Sequence, residues 1–107
     1  MRLVLISDTH NEHDLIDIPD GDVLIHAGDF TERGTFDEVE IFNHFLGSLP
    51  HKHRIVIAGN HDFAFEKSPK TAEQIITNAH YLFDSSIVIN GVKFYGSPWQ
   101  PWFYGWA

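Results

Sequence analysis

The chain has 107 residues, the size of a single domain, and 43 % of them are hydrophobic, which is typical of a folded protein and not of a disordered one. Fifteen acidic residues against seven basic ones give a net charge of -8. This charge disfavours binding to a long nucleic acid, because such binding needs clustered lysines and arginines. A small phosphorylated ligand remains compatible with it, since a bound divalent cation would invert the local charge.

Cysteine is absent, which excludes disulfides, thiolate metal sites and cysteine nucleophiles. The opening MRLVLIS lacks the longer apolar region of a signal peptide, and no later segment has the length and apolarity of a membrane span. We therefore expect a cytoplasmic protein without a membrane partner.

Three short apolar runs, rich in valine and isoleucine, predict β-strands that are buried on both faces. They lie at residues 2–7, 22–27 and 54–58. Between the second and third runs, apolar residues recur at helical spacing, and Thr35 with Glu38 matches a capping box. This pattern predicts a helix that is stopped by Pro50.

A second helix is predicted over residues 69–78, with Ser68 as its N-cap and a proline in its first turn. The segment SIVINGVKFYG then predicts two strands joined at Asn90 and Gly91, a strong hairpin signal. The whole order predicts a single α/β domain over residues 1–107, with a largely parallel sheet that acquires an antiparallel portion.

Polar side chains follow each of the three predicted strands. They are, in chain order, Asp8, Thr9 and His10, then Gly28 and Asp29, then Gly59, Asn60, His61 and Asp62. Because ligands bind at the carboxyl edge of a parallel sheet, the three turns should converge on one crevice. Each group alone is compatible with ordinary turn chemistry, but three in succession at strand ends favour a functional site.

The residue types in these turns suit metal and proton chemistry. Asp8 and His10 can both reach one cation, as an oxygen and a nitrogen donor. The amide oxygen of Asn60 can ligate a metal without adding negative charge. His61 could donate a proton to a departing oxygen, and Asp62 could hold its imidazole in the right tautomer.

The series D-x-H, G-D and G-N-H-D resembles the first three motifs of the calcineurin-like metallophosphoesterases. The resemblance implies the N-terminal half of a metallophosphoesterase-type β-sandwich flanked by helices. It also implies two divalent metal ions, with Mn, Fe, Zn, Co and Mg all acceptable. By this resemblance Asp8 and His10 bind the first metal, and Asp29 bridges both. Asn60 would bind the second metal, and His61 would contact the phosphate oxygens and protonate the leaving group.

Two further segments resemble branches of this family. GDFTERG is similar to the G-D-x-x-x-R-G form of the protein phosphatases, which implies that Arg33 contacts the phosphate, although a solvated surface arginine is an equal alternative. GSPWQPW is similar to a small branch with cyclic-nucleotide phosphodiesterase activity.

The later motifs of the family, a single histidine after a strand and a G-H-x-H segment, have no match in this sequence. His80 is the only histidine after Asp62, and we expect it to be an ordinary, partly buried side chain. The other histidines outside the motifs lack ligand spacing; they are His13, His26, His44, His51 and His53. The chain is therefore expected to be one domain that lacks its C-terminal half.

The main hypothesis is a metal-dependent phosphoesterase that hydrolyses a phosphodiester or phosphomonoester by attack of a hydroxide bridging two cations. Its partner would be a small phosphorylated substrate, with nucleotides among the candidates. Two alternatives stay open. One is a catalytically deficient metal- or phosphate-binding regulatory fragment of the same fold, and the other is a structural α/β domain whose polar strand ends are only turns and caps.

Aromatic side chains crowd the end of the chain; they are Trp99, Trp102, Phe103, Tyr104 and Trp106. A monomer rarely leaves so large an apolar cluster in water. We therefore expect a missing C-terminal segment or self-association to cover them, and weak metal binding by the chain alone. The alternative is that the tail folds back over its own sheet.

Overall fold

The protein is described by a computed structural model that covers residues 1–12, 17–59 and 62–97. Within these ranges the chain forms six strands and three helices. They are, in chain order, β1 (Leu3–Ile6), β2 (Val23–His26), α1 (Phe36–Gly47), β3 (His53–Val56), α2 (Phe63–Lys67), α3 (Pro69–Ile75), β4 (His80–Tyr81), β5 (Ser85–Ile89) and β6 (Val92–Gly96).

The first four strands form a parallel sheet in the order β1-β2-β3-β4, and the last two form an antiparallel hairpin. The predicted α/β fold, with a mostly parallel sheet and a terminal hairpin, is confirmed. Leu5 lies opposite Ile25, and Ile25 opposite Ile55, so side chains of neighbouring strands share a face. Because all four strands run the same way, the loops that follow them meet at one edge.

The sheet is covered by helices on one face and by the hairpin on the other. On the helical face, Val4, Leu24 and Val56 belong to a core cluster with Phe42 and Leu46 of α1. On the opposite face, a second cluster joins β2 and β3 to the hairpin; it contains Val23, Ile55, Leu82 and Ile89. The two clusters place the parallel sheet at the centre of the molecule.

The prediction that the first strand is buried on both faces is wrong. Leu3 is 41 % and Leu5 68 % exposed, whereas Val4 is buried. The reason is position: β1 is an edge strand of the sheet, and the hairpin packs on β2 and β3. A continuous apolar run therefore does not show by itself that both faces of a strand are covered.

Helix α1 begins as predicted, with both hydrogen bonds of the Thr35–Glu38 capping box present. It ends at Gly47, where the N–H of Ser48 turns back to the carbonyls of Phe45 and Leu46. The hairpin is also confirmed: Asn90 (φ 49°) and Gly91 (φ 78°) both adopt the left-handed conformation of a type I′ turn.

The second predicted helix is shorter than expected and is preceded by an unpredicted one. α3 ends at Ile75 because the N–H groups of Thr77 and Asn78 both donate to the side-chain oxygen of Asn43 in α1. Ser68 holds the N-cap position without a side-chain capping bond.

Helix α2 and the two-residue strand β4 were not predicted. His80, expected to be partly buried, is exposed within β4. Among the described helices, none is long and apolar enough to cross a bilayer.

Candidate metal centre

Three of the predicted metal ligands lie together at the carboxyl edge of the parallel sheet. Asp8 and His10 follow β1, and Asp29 follows β2. One ligand atom from each side chain lies within 4.8 Å of the other two, and Nε2 of His10 is 3.9 Å from Oδ1 of Asp8. Ligand atoms of one divalent ion, each about 2.1 Å from it, lie no more than about 4.2 Å apart, so this group could hold an ion after a small adjustment of the side chains. The three side chains therefore fit a single divalent cation.

The imidazole of His10 is oriented by the backbone of the neighbouring loop. Its Nδ1 lies 3.2 Å from the carbonyl oxygen of Thr31. A carbonyl only accepts hydrogen bonds, so in the neutral ring Nδ1 carries the proton and Nε2 keeps its lone pair. This is the tautomer of a histidine whose Nε2 binds a metal.

Asp8 is the most exposed of the three ligands. A hydrogen bond from the Ser7 side chain lowers the pKa of Asp8 and is the largest cause of the shift, outweighing the opposite effect of burial. The low pKa keeps Asp8 anionic at neutral pH, which is the form that binds a cation.

The loops that carry the ligands have an unusual backbone. Asp8 (φ 56°), His10 (φ 44°), Asn11 (φ 66°) and Asp29 (φ 59°) all lie in the left-handed region. This region costs about 1–2 kcal/mol for each non-glycine residue, so other contacts must hold it. The N–H of Asp8 donates to the carbonyl of Gly28 at 2.9 Å, and that of His10 donates to Asp29 at 3.0 Å. The pairing of β1 with β2 thus continues between the two ligand loops.

Two glycines allow the loop after β2 (the second loop) to contact the loop after β3 (the third loop). A Cβ on Gly59 would lie 2.5 Å from the backbone nitrogen of Asp29 and would collide with the Asp29 carboxylate. A Cβ on Gly28 would lie 2.8 Å from the nitrogen of Gly59. Glycine is needed at both positions because the backbones approach too closely for any side chain.

The side chain of Asp62 connects the second loop to the third loop through hydrogen bonds. It is buried, and its Oδ2 accepts hydrogen bonds from the N–H groups of Asp29 and Gly59, both at 2.8 Å. Its Oδ1 accepts from the amide (2.9 Å) and the hydroxyl (2.6 Å) of Thr31. Burial raises the pKa of Asp62, although all four hydrogen bonds oppose that rise. A carboxylate accepts about four hydrogen bonds, so these donors fill its capacity.

The described contacts therefore show Asp62 as a clamp between loops. The role predicted for it, orientation of the His61 imidazole, stays a prediction because Asn60 and His61 lie outside the described residues. The same holds for the second-metal and acid roles of those two residues, for His13 and for the aromatic cluster within residues 98–107.

Arg33 is exposed, and only its backbone is engaged, through hydrogen bonds from its N–H to the carboxylate of Glu38. Within the described ranges its side chain makes no hydrogen bond and no ion pair. The predicted contact between Arg33 and a phosphate stays a prediction.

His26 contacts two loops of the site, although no sequence pattern singled it out. It is the last residue of β2 and is fully buried. Its ring nitrogens lie within hydrogen-bond distance of the Thr9 hydroxyl and the Gly28 N–H. The signal that could have identified it is a histidine at the end of a buried strand, two residues before Gly-Asp.

Comparisons with known proteins find similar sequences. The sequence model of the calcineurin-like phosphoesterases matches residues 1–98. The chain is 47 % identical over 129 residues to Metallophosphoesterase domain-containing protein 1 of Homo sapiens. This match covers 99 % of the chain and 40 % of that protein. The Mus musculus protein of the same name gives the same values. It is also 47 % identical over 117 residues to UPF0046 protein C25E10.12 of Caenorhabditis elegans, with 94 % of this chain and 42 % of that protein covered. The chain thus spans about 40 % of the length of these relatives.

Proposed function

Because the chain belongs to the calcineurin-like phosphoesterase family, we propose that it takes part in metal-dependent hydrolysis of a phosphate ester. The observation that carries this proposal is the group formed by Asp8, His10 and Asp29, whose ligand atoms lie within 4.8 Å of one another. Two carboxylates and an imidazole form a mixed oxygen and nitrogen set that suits a divalent transition metal.

The proposed centre holds two divalent ions, chosen from Mn, Fe, Zn, Co and Mg. Asp8 and His10 would hold the first, Asn60 would hold the second, and Asp29 would serve both. When bound, such ions activate water for attack and neutralise the phosphoryl oxygens.

The chain's own residues have four tasks in this proposal. The bond to Thr31 keeps the Nε2 lone pair of His10 available. Asp62 fixes the backbone of Asp29. His61 donates a proton to the leaving oxygen, and Arg33 binds the phosphate through its planar guanidinium.

The proposed substrate is a small phosphodiester or phosphomonoester, nucleotides included, and the proposed location is the cytoplasm. The net charge of -8 supports a small substrate over a long nucleic acid. The alternative function is a metal- or phosphate-binding domain without turnover, which would share the same ligand group.

The test is hydrolysis of bis(p-nitrophenyl) phosphate and p-nitrophenyl phosphate by the 107-residue chain, after metal removal by EDTA and again after addition of Mn²⁺. Any hydrolysis should require added metal, should be lost in Asp29→Asn, and should be retained in Asp20→Asn, which removes one charge from an exposed loop position. Metal binding without hydrolysis of either ester would favour the binding domain, or a chain that needs the later metal-ligand motifs for turnover. Absence of metal binding would contradict both functions.

A further inference from the structure

A buried histidine lies beneath the three proposed ligands and contacts both of the loops that carry them. Nε2 of His26 is 2.9 Å from the hydroxyl oxygen of Thr9, and Nδ1 is 3.1 Å from the nitrogen of Gly28. Thr9 stands between Asp8 and His10, and Gly28 immediately precedes Asp29. One ring therefore links all three ligands through their neighbours in the chain.

The contact with Gly28 fixes the protonation of this ring. A backbone N–H only donates, so Nδ1 must accept, and in the neutral imidazole the proton then lies on Nε2. Nε2–H donates to the Thr9 oxygen. Both ring nitrogens are used in this way, so His26 is not itself a metal ligand.

Aromatic side chains hold the ring in place. The imidazole lies nearly perpendicular to the rings of Phe30 and Phe42, at interplanar angles of 88° and 76° and centroid distances of 5.7 and 5.0 Å. Phe30 and Phe42 are themselves buried and stacked on each other. Since these rings belong to the main core, a shift of His26 would require the core to repack.

We propose that His26 is a positioning residue that sets the spacing between the Asp8–His10 loop and Asp29, and thereby the affinity of the site for a divalent cation. This inference rests on the proposed metal site. Asp8, His10 and Asp29 all have left-handed backbones, which persist only while neighbouring contacts hold them. The two hydrogen bonds of His26 supply one such contact to each loop.

Substitutions can remove the two hydrogen bonds separately. His26→Asn places an acceptor near the position of Nδ1 and removes the donor to Thr9, whereas His26→Gln places an N–H near the position of Nε2 and removes the acceptor for Gly28. His26→Phe keeps a ring between Phe30 and Phe42 but removes both bonds. Thr9→Val removes the Thr9 bond from the other side, and Thr9→Ser keeps it.

The matched control is His51→Gln. His51 is also buried, and its Nε2 bonds to the carbonyl of Pro19 at 2.9 Å, but it lies before β3, at the opposite edge of the sheet from the ligands. Its substitution should affect stability without affecting the ligand loops.

The experiment measures Co²⁺ binding to the full chain by calorimetry and by visible absorption, together with thermal unfolding of each metal-free variant. We expect His26→Phe and Thr9→Val to weaken Co²⁺ binding about 10- to 100-fold and to change the absorption spectrum of the bound ion. Thr9→Ser and His51→Gln should bind as the wild type does. The double variant His26→Asn/Thr9→Val should lose no more affinity than the weaker-binding single variant, because both changes remove the same hydrogen bond.

The outcomes distinguish failure of the proposed metal site from failure of the positioning role of His26. If the wild type binds no Co²⁺, the proposed site fails whatever His26 does. If the wild type binds Co²⁺ and the folded His26→Phe and Thr9→Val variants bind it with unchanged affinity and spectrum, the positioning role is wrong, even if their unfolding temperatures fall. Should His26→Phe fail to fold, Thr9→Val and Thr9→Ser decide the matter.

Discussion

Asp29 is held more firmly than Asp8. Its N–H bonds to Asp62, its carbonyl accepts the N–H of His10, and its side chain is almost buried, whereas Asp8 is largely exposed. We expect Asp29→Asn to reduce metal affinity more than Asp8→Asn, because the proposed bridging carboxylate serves two cations and a terminal ligand serves one. Calorimetric titration with Mn²⁺ would measure both the affinity and the number of ions. Equal losses in the two variants would contradict the bridging role of Asp29.

His61 is the proposed acid and not a proposed ligand of the first metal. His61→Ala should therefore leave the affinity for Mn²⁺ nearly intact and reduce turnover of an activated ester about 100- to 10,000-fold, as is usual for loss of a general acid. Steady-state kinetics at saturating metal would show the change. Turnover that survives the substitution would assign the acid role to another group.

Substitution of Gly59 would test the contact between the loop after β2 and the loop after β3. In Gly59→Ala the new methyl group meets the backbone and carboxylate of Asp29, so we expect a loss of stability of about 1–3 kcal/mol and weaker metal binding. Gly91→Ala is the control: its Cβ would lie in open space, and only its positive φ makes it unfavourable. Urea unfolding and Mn²⁺ titration would separate the effects. Wild-type metal affinity in Gly59→Ala would show that the two loops do not need this close contact.

For the individual site residues, the sequence predicts which side chains converge but not which contacts hold their loops in place. Asp8, His10 and Asp29 come together as expected because D-x-H and G-D follow adjacent parallel strands. The clamp of Asp62 and the contacts of His26 depend on which backbone groups from three separate loops end up side by side. No local pattern encodes such an arrangement.

Glu38 stabilises the start of helix α1 and the loop before it. Its carboxylate accepts hydrogen bonds from five groups, which are the N–H groups of Glu32, Arg33 and Thr35, the Thr35 hydroxyl and the side-chain amide of Asn11. Burial alone would raise the pKa of Glu38, but the hydrogen bonds from Glu32, Thr35 and Arg33 together lower it. The charged form is therefore favoured in the folded protein.

A pKa that is lower in the folded chain than in the unfolded chain contributes stability above the unfolded value, which is 4.5 for this group. That contribution is lost as the pH falls through the folded pKa. We expect Glu38→Gln to lower the free energy of unfolding at pH 7 by about 1–3 kcal/mol, with a smaller difference from the wild type at pH 3. Urea unfolding in EDTA would measure both.

The control for this prediction is Glu40→Gln, an exposed position on the same helix. Its substitution should change the free energy of unfolding by no more than about 0.5 kcal/mol. A gap between Glu38→Gln and the wild type that stays constant with pH would show that the charge of Glu38 is not what stabilises the helix.

Elements with a complete local signal are the ones that the sequence predicts correctly. Helix α1 has its capping box and apolar spacing, and the hairpin has Asn90-Gly91. Strand β4 has two residues and helix α2 has five, which is too short for any periodicity to appear. The end of α3 is set by Asn43 from another helix, so it could not be predicted from the sequence around it.

At the scale of the molecule, the edge strand β1 leaves an apolar surface open. Leu3 and Leu5 share the sheet face that the hairpin covers over β2 and β3, yet both are exposed in the described structure. Among the described residues no strand pairs with the outer edge of β1, and such an edge beside exposed leucines favours association with another chain. This surface provides a reason for the expected self-association that does not depend on residues 98–107.

We expect the 107-residue chain to form dimers or larger species whose proportion rises with concentration, and Leu5→Ser to weaken this association about tenfold or more, roughly the effect of one large apolar side chain. Ile41→Ser is the control, because Ile41 is 55 % exposed on α1 and away from the strand edge. Sedimentation velocity over a range of concentrations would measure the effect. A wild type that stays monomeric, or equal effects of the two variants, would contradict a role for β1.

The two residues joined in the Asp62 clamp are synthesised at different times. Asp62 and Asp29 are joined by a hydrogen bond although they lie 33 residues apart in the chain. Ribosomes add about 5–20 residues per second, so Asp62 is synthesised about two to seven seconds after Asp29. Asp8, His10 and Asp29 are all made before Asp62, the residue that fixes the backbone of the Asp29 loop. During synthesis a cation can therefore meet these side chains while the Asp29 loop is not yet fixed, which is a second route beside entry from the exposed Asp8 side of the finished protein.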